Sequence, residues 1–190
     1  ENKHMLIDAG ERNKGNDVID YLESIGIKKI DFVIATHPHS DHIGGMADVI
    51  RHYKIGKVIM PNATHTSKTY ENLLDTISDK GLKITKAKVG QEYSLGDASF
   101  VILAPKSSDY DSLNNYSVAI KLTYGKNSFI FAGDAETVSE NEMLQNDGLD
   151  LDADVLKLGH HGSSTSSSDK FLDAVSPDIA VISVGEGNQY

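Results

Sequence analysis

Short runs of β-branched and aliphatic residues alternate along this chain with stretches whose apolar positions recur at helical spacing. His4–Asp8 reads as a strand ending in Asp8-Ala9-Gly10. Asn16 offers a cap for a helix to about Ser24, in which Val18, Ile19, Leu22 and Ile25 keep the helical period; Gly26 suits its stop. Ile30–Ala35 is a strand, and a helix is expected from about Gly45 to Tyr53. Lys57–Met60 is a strand that Pro61 ends. Ser67 caps a third helix, which carries Tyr70, Leu73, Leu74 and Ile77 and stops at Gly81.

The second half is richer in strands. Runs at about Lys83–Lys88, Glu92–Leu95 and Ser99–Leu103 read as strands with hairpin turns, one of them at Gly96-Asp97. Ser117–Tyr124 and Ser128–Ala132 flank Gly125-Lys126-Asn127 as a second hairpin. A helix follows from about Val138 to Gln145, then a strand at Asp154–Leu158, a helix at Ser168–Val175 and a strand at Ile179–Val184. Helices interspersed with both long strands and hairpins predict a layered α/β fold with mixed sheets.

No repeat or linker divides the pattern, so residues 1–190 are expected to form a single domain, long enough to bury a core without staples. The formal net charge of −10 lacks the basic stripe of a typical nucleic-acid binder. There are no cysteines, which excludes disulfides and thiolate metal sites. No apolar run approaches the roughly 18–20 residues of a membrane span, so this segment is not expected to insert in a membrane.

The segment Thr36-His37-Pro38-His39-Ser40-Asp41-His42 changes the picture. It places three histidines and an aspartate directly after the strand Ile30–Ala35. Imidazole is the commonest metal ligand, and carboxylate suits hard or borderline divalent ions. In extended backbone His37 and His39 share a side, while Asp41 and His42 point apart, so the segment offers a ligand pair to each of two ions. Three further strand ends carry residues of ligand type: Asp8, Asp134 and His160-His161. Strand ends of layered α/β folds converge on one rim, where sites collect.

Together these residues resemble the metallo-β-lactamase superfamily. The order is Asp8, His37-x-His39-x-Asp41-His42, Gly133-Asp134, then Gly159-His160-His161-Gly162-Ser163. More narrowly, Leu6-Ile7-Asp8-Ala9-Gly10, Asn114-Asn115-Tyr116-Ser117, Ala132-Gly133-Asp134-Ala135-Glu136 and Leu156-Lys157-Leu158-Gly159-His160-His161-Gly162-Ser163 resemble the hydrolase domain of ComEC-type competence proteins. The resemblance implies a four-layer αββα sandwich of two mixed β-sheets flanked by helices. It also implies further strands before Leu6-Ile7-Asp8 and after residue 187, so truncation at both ends is expected.

By the same resemblance, His37 and His39 bind a first metal ion. Asp41, His42 and one of His160 or His161, with His160 favoured, bind a second, and Asp134 bridges the two. Asp41 and Asp134 therefore count among the catalytic residues. Asp8 orients the histidine loop by hydrogen bonds. Many members of the superfamily carry one more histidine ligand before the bridging aspartate. Here Asn114 and Asn115 stand near that position, either as amide ligands or as a turn before a strand.

The implied cofactor is one or two Zn²⁺ ions, with Mn²⁺ as an alternative that an amide ligand would suit. The implied activity is hydrolysis of a phosphodiester, with single-stranded DNA as a candidate substrate and an extracytoplasmic or cell-surface location. His161 would face the substrate as phosphate contact or proton donor, joined by Ser163, Ser164 and Lys68. Two alternatives stand beside this. One is a catalytically silent, metal-stabilised module of a DNA-uptake or cell-surface assembly. The other is a different hydrolase of the superfamily: a phosphorylcholine esterase, lactonase or thioesterase.

Overall fold

The computed structural model describes residues 2–185. The expectations of further strands concern what lies beyond both ends, outside the described residues. The chain forms two compact units, Glu1–Lys86 and Ala87–Tyr190.

In the first unit, strands β1 (Met5–Ile7), β2 (Lys29–Ile34), β3 (Lys54–Met60) and β4 (Ile84–Lys86) lie side by side in sequence order. All three pairings are parallel. Among the described residues this sheet is parallel throughout. A helical crossover sits between each pair of strands and returns the chain in the same direction. These crossovers are α1 (Gly15–Ser24), the pair α2 (Ser40–Ile43) and α3 (Met46–His52), and α4 (Lys68–Asp79). Val33, Val58, Met46, Val49, Ile50 and Leu73 form the centre of a core that helices and sheet share.

Ser67 caps α4 as expected, its Oγ accepting the Tyr70 N–H at 3.2 Å. Asn16 does not cap α1, because the helix begins one residue earlier, at Gly15. A Cβ on Gly15 would lie 2.6 Å from Asp48 Cβ, so α1 and α3 meet where only glycine fits. The Lys83–Lys88 run is not a hairpin arm of Glu92–Leu95. Its core joins β3 in the first sheet as β4.

The second unit holds β5 (Glu92–Leu95), β6 (Ala98–Ala104), β7 (Ala119–Tyr124), β8 (Asn127–Phe131), β9 (Val155–Lys157) and β10 (Ile179–Val181). Their order is β10-β9-β8-β7-β6-β5. The sheet is antiparallel from β5 to β8 and parallel from β8 to β10. Two-residue loops close both predicted hairpins, pairing Leu95 with Ala98 and Tyr124 with Asn127. Each loop begins with a glycine at positive φ, Gly96 at 64° and Gly125 at 61°. Such a turn demands glycine there. α5 (Thr137–Leu144) and α6 (Asp169–Val175) connect the parallel strands. Met143, Phe171 and Val175 pack with Ile130 and Leu156 in a second core.

Candidate metal-ligating residues

In the first unit, parallel strands bring the ends of β1, β2 and β3 to one rim. Asp8 follows β1 in left-handed backbone, with φ 60°. Its Oδ1 accepts the Thr36 N–H at 2.9 Å, and its Oδ2 accepts the Thr36 hydroxyl at 2.7 Å. His42 Nδ1 lies 2.7 Å from the same Oδ2. A carboxylate only accepts, so His42 carries its hydrogen on Nδ1 and keeps a lone pair on Nε2. The Thr36 hydroxyl hydrogen goes to Asp8, so Thr36 Oγ1 accepts from His37 Nδ1 at 3.1 Å. His37 then also presents an Nε2 lone pair, 2.9 Å from His39 Nδ1.

One carboxylate thus sets the tautomers of His37 and His42, the orienting role expected of Asp8. His42 Nε2 stands 3.5 Å from Asp41 Oδ2. Two ligand atoms bound to one ion at about 2.0–2.2 Å sit roughly 3.4 Å apart at the tetrahedral angle, so this pair fits a shared divalent ion.

Backbone contacts hold this rim together. Ala9 N–H donates to the His42 carbonyl at 2.8 Å, and Gly45 N–H to the Gly10 carbonyl at 3.3 Å. A Cβ on Gly44 would fall 2.2 Å from Arg12 N, and one on Gly45 2.5 Å from the Ala9 carbonyl oxygen. The glycine pair is what lets the α2–α3 corner press on the Asp8 loop. His65, beyond β3, stacks edge-on to His39 with ring centroids 6.5 Å apart. Its Nδ1 accepts the Ser67 N–H at 3.3 Å, so the ring proton sits on Nε2. Lys68 is exposed in the first turn of α4.

In the second unit, Asp134 follows β8 through Gly133, whose φ is 57°. It is buried, 2% exposed, and its N–H donates to Ser117 Oγ at 2.9 Å. His160 and His161 follow β9, both in left-handed backbone at φ 46° and 54°. Their Nε2 atoms stand 4.0 and 3.8 Å from Asp134 Oδ2. His161 Nδ1 lies 2.8 Å from the Ser183 carbonyl oxygen, a pure acceptor, which fixes the hydrogen on Nδ1. His160 Nδ1 lies 3.1 Å from Thr165 Oγ1, whose hydrogen goes to Glu136 Oε1 at 3.2 Å. His160 therefore also presents an Nε2 lone pair.

Glu136 is an anchor that sequence reasoning missed. It was visible inside Gly133-Asp134-Ala135-Glu136, but nothing local says that its carboxylate supports a histidine. Asn114 Nδ2 and Asn115 Nδ2 donate to it at 3.1 and 3.2 Å. The two asparagines lie on a 3-10 turn, Leu113–Tyr116. Asn115 is fully engaged, since its Oδ1 accepts the N–H groups of Glu136 at 3.1 Å and Ser139 at 3.2 Å and so caps α5. Both lone pairs of the Asn115 amide oxygen are thus in use, the turn-building role that the sequence also offered for it. Asn114 Oδ1 is buried and accepts no hydrogen bond among the described residues.

The serine-rich loop differs from a phosphate cradle in one respect. Glu140 on α5, 1% exposed, accepts the backbone N–H groups of Ser167 and Ser168. The amides before α6 are thus engaged by an internal anion. Ser163 is buried, with its Oγ 3.1 Å from Thr165 Oγ1, while Ser164 is exposed.

The model of the metallo-β-lactamase superfamily matches residues 1–186. The chain is 34% identical over 173 residues to ComE operon protein 3 of Bacillus subtilis (strain 168), covering 91% of this chain and 22% of that protein. It is 30% identical over 193 residues to Recombination protein 2 of Haemophilus influenzae, covering 99% and 22%. The chain thus spans less than a quarter of either relative. Among solved structures, the metallo-β-lactamase fold protein YhfI from Bacillus subtilis aligns with a TM-score of 0.54 at 15% identity, covering 95% of this chain and 76% of that one. At that identity the likeness shows the fold, which is the one the motifs implied.

Proposed function

Because this chain belongs to the metallo-β-lactamase superfamily, we propose that it is a metal-dependent hydrolase of phosphodiesters, with single-stranded DNA as the leading substrate. The observation that carries the reading is the shared state of the imidazoles. His37, His42, His160 and His161 each have Nδ1 hydrogen-bonded to an oxygen acceptor, the tautomer that places the ring lone pair on Nε2. Nothing in a solvated loop would set that tautomer four times. The donor set fits divalent ions: zinc, or manganese where oxygen ligands dominate.

By the resemblance to the superfamily, Asp41, His42 and one of His160 or His161 would serve one ion. His37 and His39 serve the other, with Asp134 shared. His160, first favoured as that ligand, and His161 both have Nδ1 engaged and Nε2 toward Asp134 Oδ2, so either can fill the place. A ligand with that tautomer has no proton to give a leaving oxygen. Ions held there would supply acidified water and stabilise charge on phosphoryl oxygens. The chain's own residues fix their positions: Asp8 holds His37 and His42, and Ser117 holds the Asp134 backbone. Ser163, Ser164 and Lys68 remain candidate substrate contacts. The hydroxyls of the serine-rich loop after His161 are what favour phosphate over lactam or thioester, although Glu140 already engages the amides of Ser167 and Ser168. The net charge of −10 favours brief engagement of a strand over tight binding to a long polyanion.

The test is cleavage of single-stranded DNA with Mn²⁺ or Zn²⁺, comparing the wild type with Asp134→Ala. The variant is expected to lose more than about 100-fold, beyond the cost of removing a mere supporting group. Equal cleavage by the two proteins refutes the reading. The full engagement of Asn115 favours a second reading, a silent metal-stabilised module with one ion. A single bound ion without turnover on nucleic acid, choline phosphoester, lactone or thioester would establish it. The main reading also carries a cell-surface location, tested by protease access in intact cells. Among the described residues no helix is long and apolar enough to cross a membrane.

A further inference from the structure

We propose that the loop after β3 and the end of β4 form a track for the phosphates of a single nucleic-acid strand. In it the His65 Nε2–H donates to one phosphate oxygen, and the Lys86 ammonium pairs with a neighbouring phosphate. The inference takes its ligand class from the hydrolase reading above. It adds, within the first unit alone, where the strand would lie beside the histidine pair.

Topology puts the parts in line. The strands of the first sheet are parallel, so β2, β3 and β4 end on the same rim in that order. His37 and His39 follow the end of β2, residues 61–67 follow β3, and Lys86 closes β4 opposite Met60. Neighbouring strands lie about 4.8 Å apart. The line from His39 through His65 to Lys86 therefore crosses the rim, away from the ligand pair.

Charge along that line is one-sided. Residues 61–67 contain no Asp or Glu, and Lys68 follows them at the start of α4. Lys86 is exposed, with its Nζ 2.6 Å from Asn62 Oδ1, a neutral oxygen. That contact aims the ammonium at the loop without cancelling its charge. The first unit as a whole has as many Lys and Arg as Asp and Glu, so the net charge of −10 belongs to the second. The acidity of the chain does not fall on this rim.

The tautomer of His65 separates a donor from a further ligand. The Ser67 N–H only donates, so it fixes the lone pair on Nδ1 and the hydrogen on Nε2. His37 and His42, on the same rim, have the opposite tautomer, with the hydrogen on Nδ1. To ligate through Nε2, His65 would have to give up its bond to Ser67 and set two hydrogens face to face. Its ring stands edge-on to that of His39, with centroids 6.5 Å apart, so it offers a neutral N–H beside the ligand pair. Among the described residues no acceptor takes that hydrogen. The loop is held in place on both sides of it. The Tyr70 hydroxyl donates to the Ala63 carbonyl at 2.8 Å, and Ser67 caps α4.

The experiment reads binding without metal or turnover. A fluorescently labelled oligothymidylate is titrated with the full chain in EDTA and followed by anisotropy over a range of salt. Wild type is expected to bind, with log K falling linearly against log salt. Lys86→Gln should make that slope shallower by about 0.7, the value for one phosphate contact on a single strand. His65→Phe should weaken binding about tenfold, the loss of one hydrogen bond to a charged group. The slope should stay as it is, because a neutral donor releases no counterion. His65→Gln, which keeps an N–H, should recover part of the loss. Lys28→Gln, at the opposite rim of the same sheet, is the charge-matched control and should match wild type in affinity and slope. No binding by wild type overturns the inference, as does wild-type affinity in both His65→Phe and Lys86→Gln. An equal loss in Lys28→Gln does so too, because the attraction is then diffuse. A changed slope in His65→Phe also overturns it, because that histidine then acts as a cation. All these outcomes leave the hydrolase reading to its own cleavage assay. Track-dependent binding without cleavage in Mn²⁺ or Zn²⁺ instead refutes the hydrolase and keeps the track. Circular dichroism melts check folding, and His65→Ala replaces the phenylalanine variant if that one is unfolded.

Discussion

In the first unit His37 reaches Asp8 through the Thr36 hydroxyl; in the second His160 reaches Glu136 through the Thr165 hydroxyl. The two anchors use the same chemistry, an imidazole Nδ1–H, a threonine and a carboxylate, yet they differ in what holds the carboxylate. Asp8 takes the Thr36 N–H, the Thr36 hydroxyl and His42 directly, so one residue orients two imidazoles. Glu136 orients one, and is itself held by amides more than twenty positions away in sequence. A compact anchor shared by two ligands makes their loss concerted. A composite anchor serving one ligand makes its loss separable.

The largest expected effect follows from that contrast. Asp8→Ala should weaken both ions by about 10–100-fold, whereas Glu136→Ala should weaken one. Calorimetric Mn²⁺ titration distinguishes the two, and equal, single-site losses would break the comparison. Next comes Gly45→Ala, which sets a Cβ 2.5 Å from the Ala9 carbonyl oxygen. Overpacking of this kind costs about 1–3 kcal/mol, so Tm should fall and the first anchor should loosen while the second keeps its ion. Glu140→Ala acts on the other side. It strips the acceptor from two half-buried N–H groups of the Thr165 loop, each bond worth on the order of 1 kcal/mol. Proteolysis in that loop should rise, with the His37 side unchanged.

The smallest effects are in pH, away from the ligands. Burial works against ionisation of Asp31, but the Lys29 ammonium at 2.6 Å, the His4 N–H at 3.1 Å and the charge of Lys3 outweigh it and hold the carboxyl below its ordinary range. Its contribution is therefore present above the unfolded value of about 3.9 and lost as pH falls through the folded one. Asp31→Asn should flatten the acid limb of a Tm-against-pH curve. Tyr110 in the second unit is the opposite case, pushed up to about 12 by burial and by its hydrogen bond to Glu142. That contribution is complete below about 10 and lost as pH rises toward 12. Tyr110→Phe should flatten the alkaline limb.

The same contrast explains what could be read from sequence. The helix pattern from Tyr70 to Ile77, the Gly96-Asp97 and Gly125-Lys126 turns and the histidine run are local, so periodicity and turn chemistry exposed them. Asp8 as an orienting residue was legible because its strand ends in a recognisable motif. Glu136, Thr165 and Glu140 were not, because each acts on a residue from another part of the chain. The partner of the Lys83–Lys88 strand was misread for a related reason. Its nearest strand in sequence is β5, but its pairing partner is β3, across a helix. The start of α1 was misplaced because a glycine contact with Asp48, rather than a capping side chain, fixes where α1 begins.

The paired left-handed residues at 160 and 161 have a consequence for how such a chain ages under mutation. Glycine is the relaxed residue at both positions, since it alone adopts positive φ without penalty. A lineage that no longer needed the centre would gain stability by losing either histidine, and the sheet around it would survive unchanged. Drift would therefore erase the tandem well before it blurred the strands. Two adjacent histidines after β9 are on that account a more sensitive mark of a working centre than the fold that carries them.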